Sequence, residues 1–162
     1  MQLIDKEFCD LVRIAVADAV AFIKNERTVF NMDAVEYKGV NDLVSYVDKT
    51  AEKIIVDALL KLIPDAGFIT EENTINVSDK DYCWIIDPLD GTTNFIHGLN
   101  CYCVSVGLMY KNELVLGVVH EVNLNECFYA WKGGGAYCNG ERIMVSATTH
   151  LSQSLIATVF VF

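Results

Sequence analysis

The hydrophobic positions in the first part of the chain recur with a helical period. Apolar residues return every three or four positions over residues 3–24 and again over residues 46–63. This spacing places the apolar side chains of each segment on one face. The pattern predicts two long amphipathic helices, joined by a polar loop over residues 25–37 with a short strand near Val35.

The pattern changes to strand-like runs in the second part of the chain. Such runs cover residues 102–110, 113–121 and 126–131, after two shorter apolar runs at residues 67–69 and 84–86. Lys111-Asn112 and Asn139-Gly140 are typical of tight hairpin turns, the second before a strand over residues 141–145. Two helices followed by successive antiparallel strands predict an α+β fold.

Three consecutive glycines, Gly133-Gly134-Gly135, follow the last of these runs. They do not form a nucleotide-binding Walker loop, because no Gly-Lys-Ser or Gly-Lys-Thr follows them. We interpret them as a bend in the chain.

The run at residues 84–86 leads directly into a polar turn that carries Asp87 and Asp90. Aspartates are costly to bury, so two of them beside a buried strand need a compensating partner. A divalent cation such as magnesium would suit them, with the backbone oxygen of Leu89 between. Gly91 allows close backbone approach, and a helix starting at Thr92 would offer free N–H groups to a phosphate. The turn therefore indicates phosphate-ester chemistry.

Each aspartate alone also has an ordinary structural explanation. Asp-Pro and Asp-Gly are common in turns, and an aspartate before a helix is a frequent N-cap. The functional interpretation depends on the whole string, Asp87-Pro88-Leu89-Asp90-Gly91-Thr92-Thr93-Asn94.

That string resembles the first signature of the inositol monophosphatase family. Members are magnesium-dependent, lithium-sensitive phosphomonoesterases, more distantly related to fructose-1,6-bisphosphatase. The resemblance implies the N-terminal part of an αβαβα layered fold, with two helices packed on a largely antiparallel sheet. It also implies a small-molecule phosphate monoester as substrate, two or three magnesium ions as cofactor, and a homodimer.

The resemblance assigns roles to individual residues. The implied metal ligands are Glu71, Asp87, the Leu89 carbonyl and Asp90. The implied catalytic residues are Glu71, Thr92 and Asp48, with Asp48 orienting Thr92 for water activation. The implied substrate-binding residues are Asp90, Gly91 and Thr92.

Two of these assignments have alternatives in the residues themselves. Ser45 is suited to cap the second helix, which would make Asp48 an acid that stabilises the helix N-terminus. Glu71 follows the short strand at residues 67–69, and it would be a solvated loop acid if the Asp87 turn held no metal.

The amino-acid composition limits the binding partners and the cellular compartment that we expect for this protein. The chain has 162 residues and a net charge of -10, which disfavours nucleic acid as a partner. No apolar run reaches membrane-spanning length, and the first residues do not resemble a secretory signal. None of the 6 cysteines forms a Cys-x-x-Cys pair. We therefore expect a cytoplasmic protein with reduced, mostly buried thiols and no zinc site.

The resemblance covers residues 1–162 as one N-terminal domain. Family members continue into a second α/β part, where a further aspartate completes the metal site, and nothing here matches it. We therefore expect a truncated chain with a weakened second metal and low turnover. Two alternatives stay open: a non-catalytic, metal-binding or self-associating fragment, and a related phosphatase for sugar bisphosphates or nucleotide 3′-phosphates.

Overall fold

The computed structural model describes residues 4–30, 40–72, 75 and 79–156, except for the side chains of residues 40–45. The strand predicted near Val35 and the apolar residues 157–162 lie outside this part of the chain. The helices are α1 (Lys6–Val29), α2 (Val40–Leu62) and α3 (Thr92–His97), and a short 3-10 helix covers Leu151–Gln153.

Helix α1 begins and ends later than its apolar pattern predicts. Asp5 caps it, because the Asp5 carboxylate accepts a hydrogen bond from the Phe8 amide at 2.9 Å. Arg27, in the last turn, lies over the rings of Phe30 and Phe95, 5.3 and 5.8 Å from their centroids. These contacts with α3 stabilise the last turn, which the local sequence alone does not specify.

Helix α2 begins at Val40, well before the predicted start at residue 46. Ser45 therefore lies inside the helix, and its predicted role as the N-cap is wrong. Asp48 is correspondingly remote from the helix N-terminus, where the macrodipole acts only on the first turn. Asp48 therefore does not stabilise the N-terminus of α2, which was the alternative explanation for this acid.

A seven-stranded sheet follows, in the spatial order β1 to β7. Its strands are β1 (Gly67–Thr70), β2 (Tyr82–Asp90), β3 (Cys103–Tyr110), β4 (Glu113–Glu121), β5 (Glu126–Trp131), β6 (Gly135–Cys138) and β7 (Glu141–Ile143). β1 and β2 are parallel and all other neighbours are antiparallel. The predicted α+β class is confirmed, and so are both hairpin turns, whose residues Lys111, Asn112, Asn139 and Gly140 have positive φ.

Three details of the sheet differ from the sequence prediction. The last strand ends at Ile143 and not at residue 145. β2 does not stop at Ile86 but continues to Asp90, with an irregular register between Asp87 and Asp90. Pro88 lacks an N–H for the ladder, so the strand bulges there rather than ending. The glycine bend is followed by β6. The sequence pattern did not predict this strand, because the segment Gly135–Cys138 is short.

In the described part of the chain, the two long helices cover one face of the sheet and leave the other open. The core between them holds fully buried side chains such as Trp84, Phe68 and Leu108. Apolar side chains on the opposite face remain exposed, among them Ile69, Ile85 and Val119. Within the described residues, no helix combines the length and hydrophobicity that a membrane span requires.

The cysteines are only partly as expected. All 6 are free, but Cys101 is exposed, and Cys103 and Cys138 are half-buried.

Candidate active site

The parallel pairing of β1 and β2 brings Glu71 beside Asp87. Thr70 pairs with Ile86, and the Glu71 amide donates a hydrogen bond to the Ile86 carbonyl at 3.1 Å. The carboxyl groups of Glu71 and Asp87 lie close enough for Glu71 to raise the pKa of Asp87. Burial, together with the neighbouring Glu71 and Asp90 carboxylates, raises the pKa of Asp87 to about 7. Two neighbouring carboxyl groups that influence each other's charge in this way are candidate ligands for one cation.

The backbone after Asp87 is held by hydrogen bonds within the turn. The Leu89 amide donates to Asp87 Oδ1 at 3.2 Å, and the Thr92 hydroxyl donates to the Leu89 carbonyl at 2.9 Å. A carbonyl oxygen has two lone pairs, so the Thr92 bond leaves one of them available. The Leu89 side chain is fully buried, which anchors the turn to the core.

Gly91 lies at the junction between this turn and α3. Its φ is +92°, and a Cβ there would lie 2.9 Å from the Cys101 carbonyl oxygen and 3.1 Å from Tyr102 Cβ. Only glycine meets both conditions without strain. Helix α3 then starts at Thr92, as the sequence predicted, and ends at Gly98 in the left-handed conformation.

A second group of carboxylates lies under the loop that follows β1. Asp48 and Glu52 of α2 are 4% and 0% exposed. Glu52 accepts a hydrogen bond from the Glu72 amide at 3.0 Å, which fixes the loop that carries Glu71. Burial raises the pKa of Asp48 to about 7, and the charges of Glu72, Glu71 and Glu52 contribute in the same direction.

Sequence reasoning did not identify Glu52. A signal was nonetheless present, because Glu52 lies four residues after Asp48, within the apolar stripe of α2 that includes Ala51 and Ile55. Acids at core-facing positions of an amphipathic helix are rarely left without a partner.

The predicted site residues differ in how closely they are connected. Asp87, Leu89 and Thr92 are joined by the hydrogen bonds described above, and Glu71 is held beside them by its amide bond to Ile86. Asp90 is exposed, and the Cys103 thiol approaches its Oδ2 at 3.7 Å. The Thr92 hydroxyl donates to Leu89, so the orientation of Thr92 by Asp48 stays a prediction.

The oxygen atoms of this site are of the type that a hard divalent cation prefers, but they are too few to hold one. Carboxylate and carbonyl oxygens are the ligands that magnesium prefers. Among the described residues, however, no three His, Cys, Asp or Glu side chains are grouped so that they could hold an ion. Glu71 and Asp87 alone would therefore not complete such a site, and their predicted role as metal ligands stays a prediction.

A cavity of about 530 Å³ adjoins these two carboxylates on the open face of the sheet. Its floor is formed by residues of β2, β3 and β4, including Ile85, Ser105 and Gly117. The volume lies within the usual range of small-molecule sites.

The chain is similar to known proteins over nearly its full length. A sequence profile of the inositol monophosphatase family matches residues 5–162. An inositol monophosphatase of Dictyostelium discoideum is 44% identical over 127 residues, which cover 76% of this chain and 47% of that protein. A fructose-1,6-bisphosphatase/inositol-1-monophosphatase of Thermotoga maritima is 43% identical over 128 residues, covering 78% of this chain and 49% of that protein.

The fold is shared with solved structures. An inositol monophosphatase from Anabaena (Nostoc) superposes with a TM-score of 0.78 at 30% identity, over 92% of this chain and 53% of that one. The chain thus spans about half the length of the relatives that it matches.

Proposed function

This chain belongs to the inositol monophosphatase family, and we propose that it carries the N-terminal half-site of a magnesium-dependent phosphomonoesterase. The observation that carries the proposal is the parallel pairing of β1 and β2, which places Glu71 beside Asp87 at the ends of these strands. The substrate class is a small phosphate monoester such as inositol 1-phosphate.

Each part of the site has a distinct task. Glu71, Asp87, Asp90 and the Leu89 carbonyl would hold magnesium. When bound, magnesium lowers the pKa of a water molecule and neutralises the charge that develops on the leaving oxygen. The Gly91 and Thr92 amides bind the phosphate where α3 starts.

Two carboxylates and a hydroxyl prepare the attacking water. Glu71 accepts its proton, since a carboxylate beside the metal ligand Asp87 is placed to act as a general base. Asp48 orients Thr92 from α2, and Glu52 keeps the Glu71 loop in place through the Glu72 amide. No covalent phosphoenzyme is required.

The residues that this chain matches make up only 47% and 49% of the length of two relatives. We propose that the remaining ligands belong to a second part of the protein, and that residues 1–162 form its N-terminal domain. This chain alone would then bind magnesium weakly and release phosphate slowly. The same proposal includes formation of a homodimer, inhibition by lithium, and a small phosphate monoester such as inositol 1-phosphate as the substrate.

Calorimetric titration with magnesium tests the half-site directly. We expect saturable binding by the chain and loss of that binding in Asp87→Asn, because the amide cannot supply a charged oxygen to the cation. Asp81→Asn is the matched control. Asp81 lies just before the same strand, its side chain is 68% exposed, and its replacement should leave binding unchanged.

Phosphate release from inositol 1-phosphate is then measured on the same three proteins. A slow, magnesium-dependent release that Asp87→Asn abolishes would support the proposal. Absence of magnesium binding by the wild-type chain, or equal binding by Asp87→Asn, would refute it.

A sugar bisphosphate is the second candidate substrate. The Thermotoga maritima relative is named for both fructose-1,6-bisphosphatase and inositol-1-monophosphatase activity, and it is 43% identical. Fructose 1,6-bisphosphate therefore serves as the alternative substrate in the same assay. Faster release from it than from inositol 1-phosphate would favour this candidate.

A further inference from the structure

A second cleft lies on the other face of the sheet, between the first half of α1 and strands β5 and β6. Its volume is about 560 Å³, and it shares no lining residue with the cavity beside Glu71 and Asp87. Volumes of this size are typical of small-molecule sites. The phosphatase proposal assigns no role to this cleft.

Three nearly parallel aromatic rings form one wall of the cleft. Tyr129 pairs with Tyr137 across β5 and β6, and their ring centroids are 5.4 Å apart at an interplanar angle of 16°. Trp131 and Tyr137 are 5.3 Å apart at 8°. Parallel rings at this spacing form a platform on which another planar ring can stack.

The glycine bend fixes this aromatic platform. A Cβ on Gly134 would lie 1.9 Å from Cε2 of Trp131, so the indole ring occupies space that any other residue would fill. The Tyr137 hydroxyl donates to the Gly134 carbonyl at 3.1 Å. The bend therefore holds both rings in place before any ligand arrives, which lowers the entropy cost of binding.

The opposite wall carries positive charge. Arg13 lies over the Tyr129 ring at 4.1 Å, and Lys6 lies one helical turn before Asp10. The Asp10 carboxylate contacts Arg13 at 2.7 Å and Lys6 at 2.8 Å. Two cations thus face one carboxylate, and the Lys6 side chain remains 70% exposed.

The lower part of the same wall is apolar. Ile14 lines the cleft and is 60% exposed, although the neighbouring Ala15 and Val16 are core residues. The cleft therefore combines an aromatic platform, an apolar side and a local positive charge, in a chain whose net charge is -10.

We propose that this cleft binds a mononucleotide, with the base stacked on the Trp131 and Tyr137 rings and the phosphate beside Lys6 and Arg13. A planar ring bearing an anion matches both walls. A neutral nucleoside would only stack on the aromatic platform, and inorganic phosphate would only contact the cations Lys6 and Arg13. The site is separate from the carboxylates of the candidate active site, so it does not depend on the phosphatase proposal.

The two tryptophans allow a direct test by ¹H–¹⁵N NMR on the full chain. Trp84 is fully buried in the core, whereas Trp131 lines the cleft. Titration with AMP should shift the Trp131 indole resonance saturably and leave that of Trp84 in place. Trp131→Phe identifies the resonance. We expect adenosine to bind about tenfold more weakly than AMP, because it lacks the charged group.

Lys6→Gln and Lys53→Gln form a matched pair of variants. Both lysines are exposed and bind an aspartate four residues later at 2.8 Å, but Lys53 belongs to α2 and does not line this cleft. Lys6→Gln should weaken AMP binding several-fold, whereas Lys53→Gln should not.

Three results would overturn the proposal. The first is no saturable Trp131 shift with AMP up to about 10 mM, the weak end of specific recognition. The second is equal AMP affinity in the wild type and Lys6→Gln. The third is loss of the shift in Asp87→Asn, because AMP would then bind at the candidate active site instead. Retained binding in Asp87→Asn, even without magnesium affinity or phosphate release, would support the cleft independently.

Discussion

At the scale of single residues, Asp48 is an acid whose surroundings disfavour its ionised form. It is almost fully buried beside other carboxylates, and burial is the main cause that raises its pKa to about 7 from 3.8. Between these values the folded chain keeps a proton that the unfolded chain releases. The free energy of unfolding must therefore fall as the pH rises through this interval, and it levels off above the folded-state pKa.

Asp48→Asn should remove this pH-dependent penalty, because the amide has nearly the same shape and no charge to bury. Relative to the wild type, we expect the variant to gain stability as the pH rises from about 4 to 8, by up to about 4 kcal/mol. Urea unfolding in the presence of a chelator measures the difference. Asp81→Asn, at an exposed position, is the control. A stability difference that is constant across this pH range would contradict the burial explanation.

At the scale of elements, the site depends on how β2 passes into α3. The strand bulges at Pro88, the Thr92 hydroxyl closes the turn on the Leu89 carbonyl, and Gly91 turns the chain into the helix. At the other end of α3, Arg27 of α1 lies 2.5 Å from the position of a Cβ on Gly98. The turn that carries Asp87 and Asp90 is thus held between the sheet and the first helix.

A comparison of Gly91→Ala with Gly140→Ala distinguishes two contributions to the loss of stability, backbone strain and steric overlap. The two glycines have φ of +92° and +93°, but a Cβ on Gly91 would meet the Cys101 carbonyl at 2.9 Å, whereas one on Gly140 would meet nothing within 4 Å. We expect Gly140→Ala to cost about 1–2 kcal/mol for the left-handed conformation alone. Gly91→Ala should cost about 1–3 kcal/mol more. Chemical denaturation measures both costs, and equal values would show that the Cys101 contact relaxes freely.

At the scale of the whole molecule, one face of the sheet is covered and one is open. Helices α1 and α2 bury the covered face. The open face exposes Ile85 and Val119 by 38% and 39%, and Leu114 by 60%. Contiguous apolar surface of this kind favours association.

We expect the chain by itself to self-associate through this open face. Val119→Lys should shift the population towards monomer, because a charged side chain cannot be buried in an apolar contact without a partner. Leu124→Lys is the control, since Leu124 is 70% exposed in the turn between β4 and β5. Sedimentation velocity over a range of concentrations measures the effect. A chain that stays monomeric up to about 100 µM would contradict this prediction.

The sequence by itself determined those features that depend on local chemistry. Apolar periodicity predicted both long helices and the three central strands, since side-chain spacing follows directly from backbone geometry. Hairpins at Lys111-Asn112 and Asn139-Gly140 followed from residues that tolerate positive φ. The string from Asp87 to Asn94 indicated the family, because it combines carboxylates, a glycine and hydroxyls that are individually ordinary.

Tertiary structure decided the features that depend on which segments meet. The true start of α2 removed the capping explanation for Asp48, and α1 continues to Val29, where Arg27 of its last turn lies over the Phe95 ring of α3. The pairing of Glu71 with Asp87 required the parallel alignment of β1 and β2, which no local pattern specifies. Glu52 and the aromatic cleft were missed for the same reason. Their significance lies in neighbours that are distant in sequence, and burial and pKa shifts arise only once those neighbours are in place.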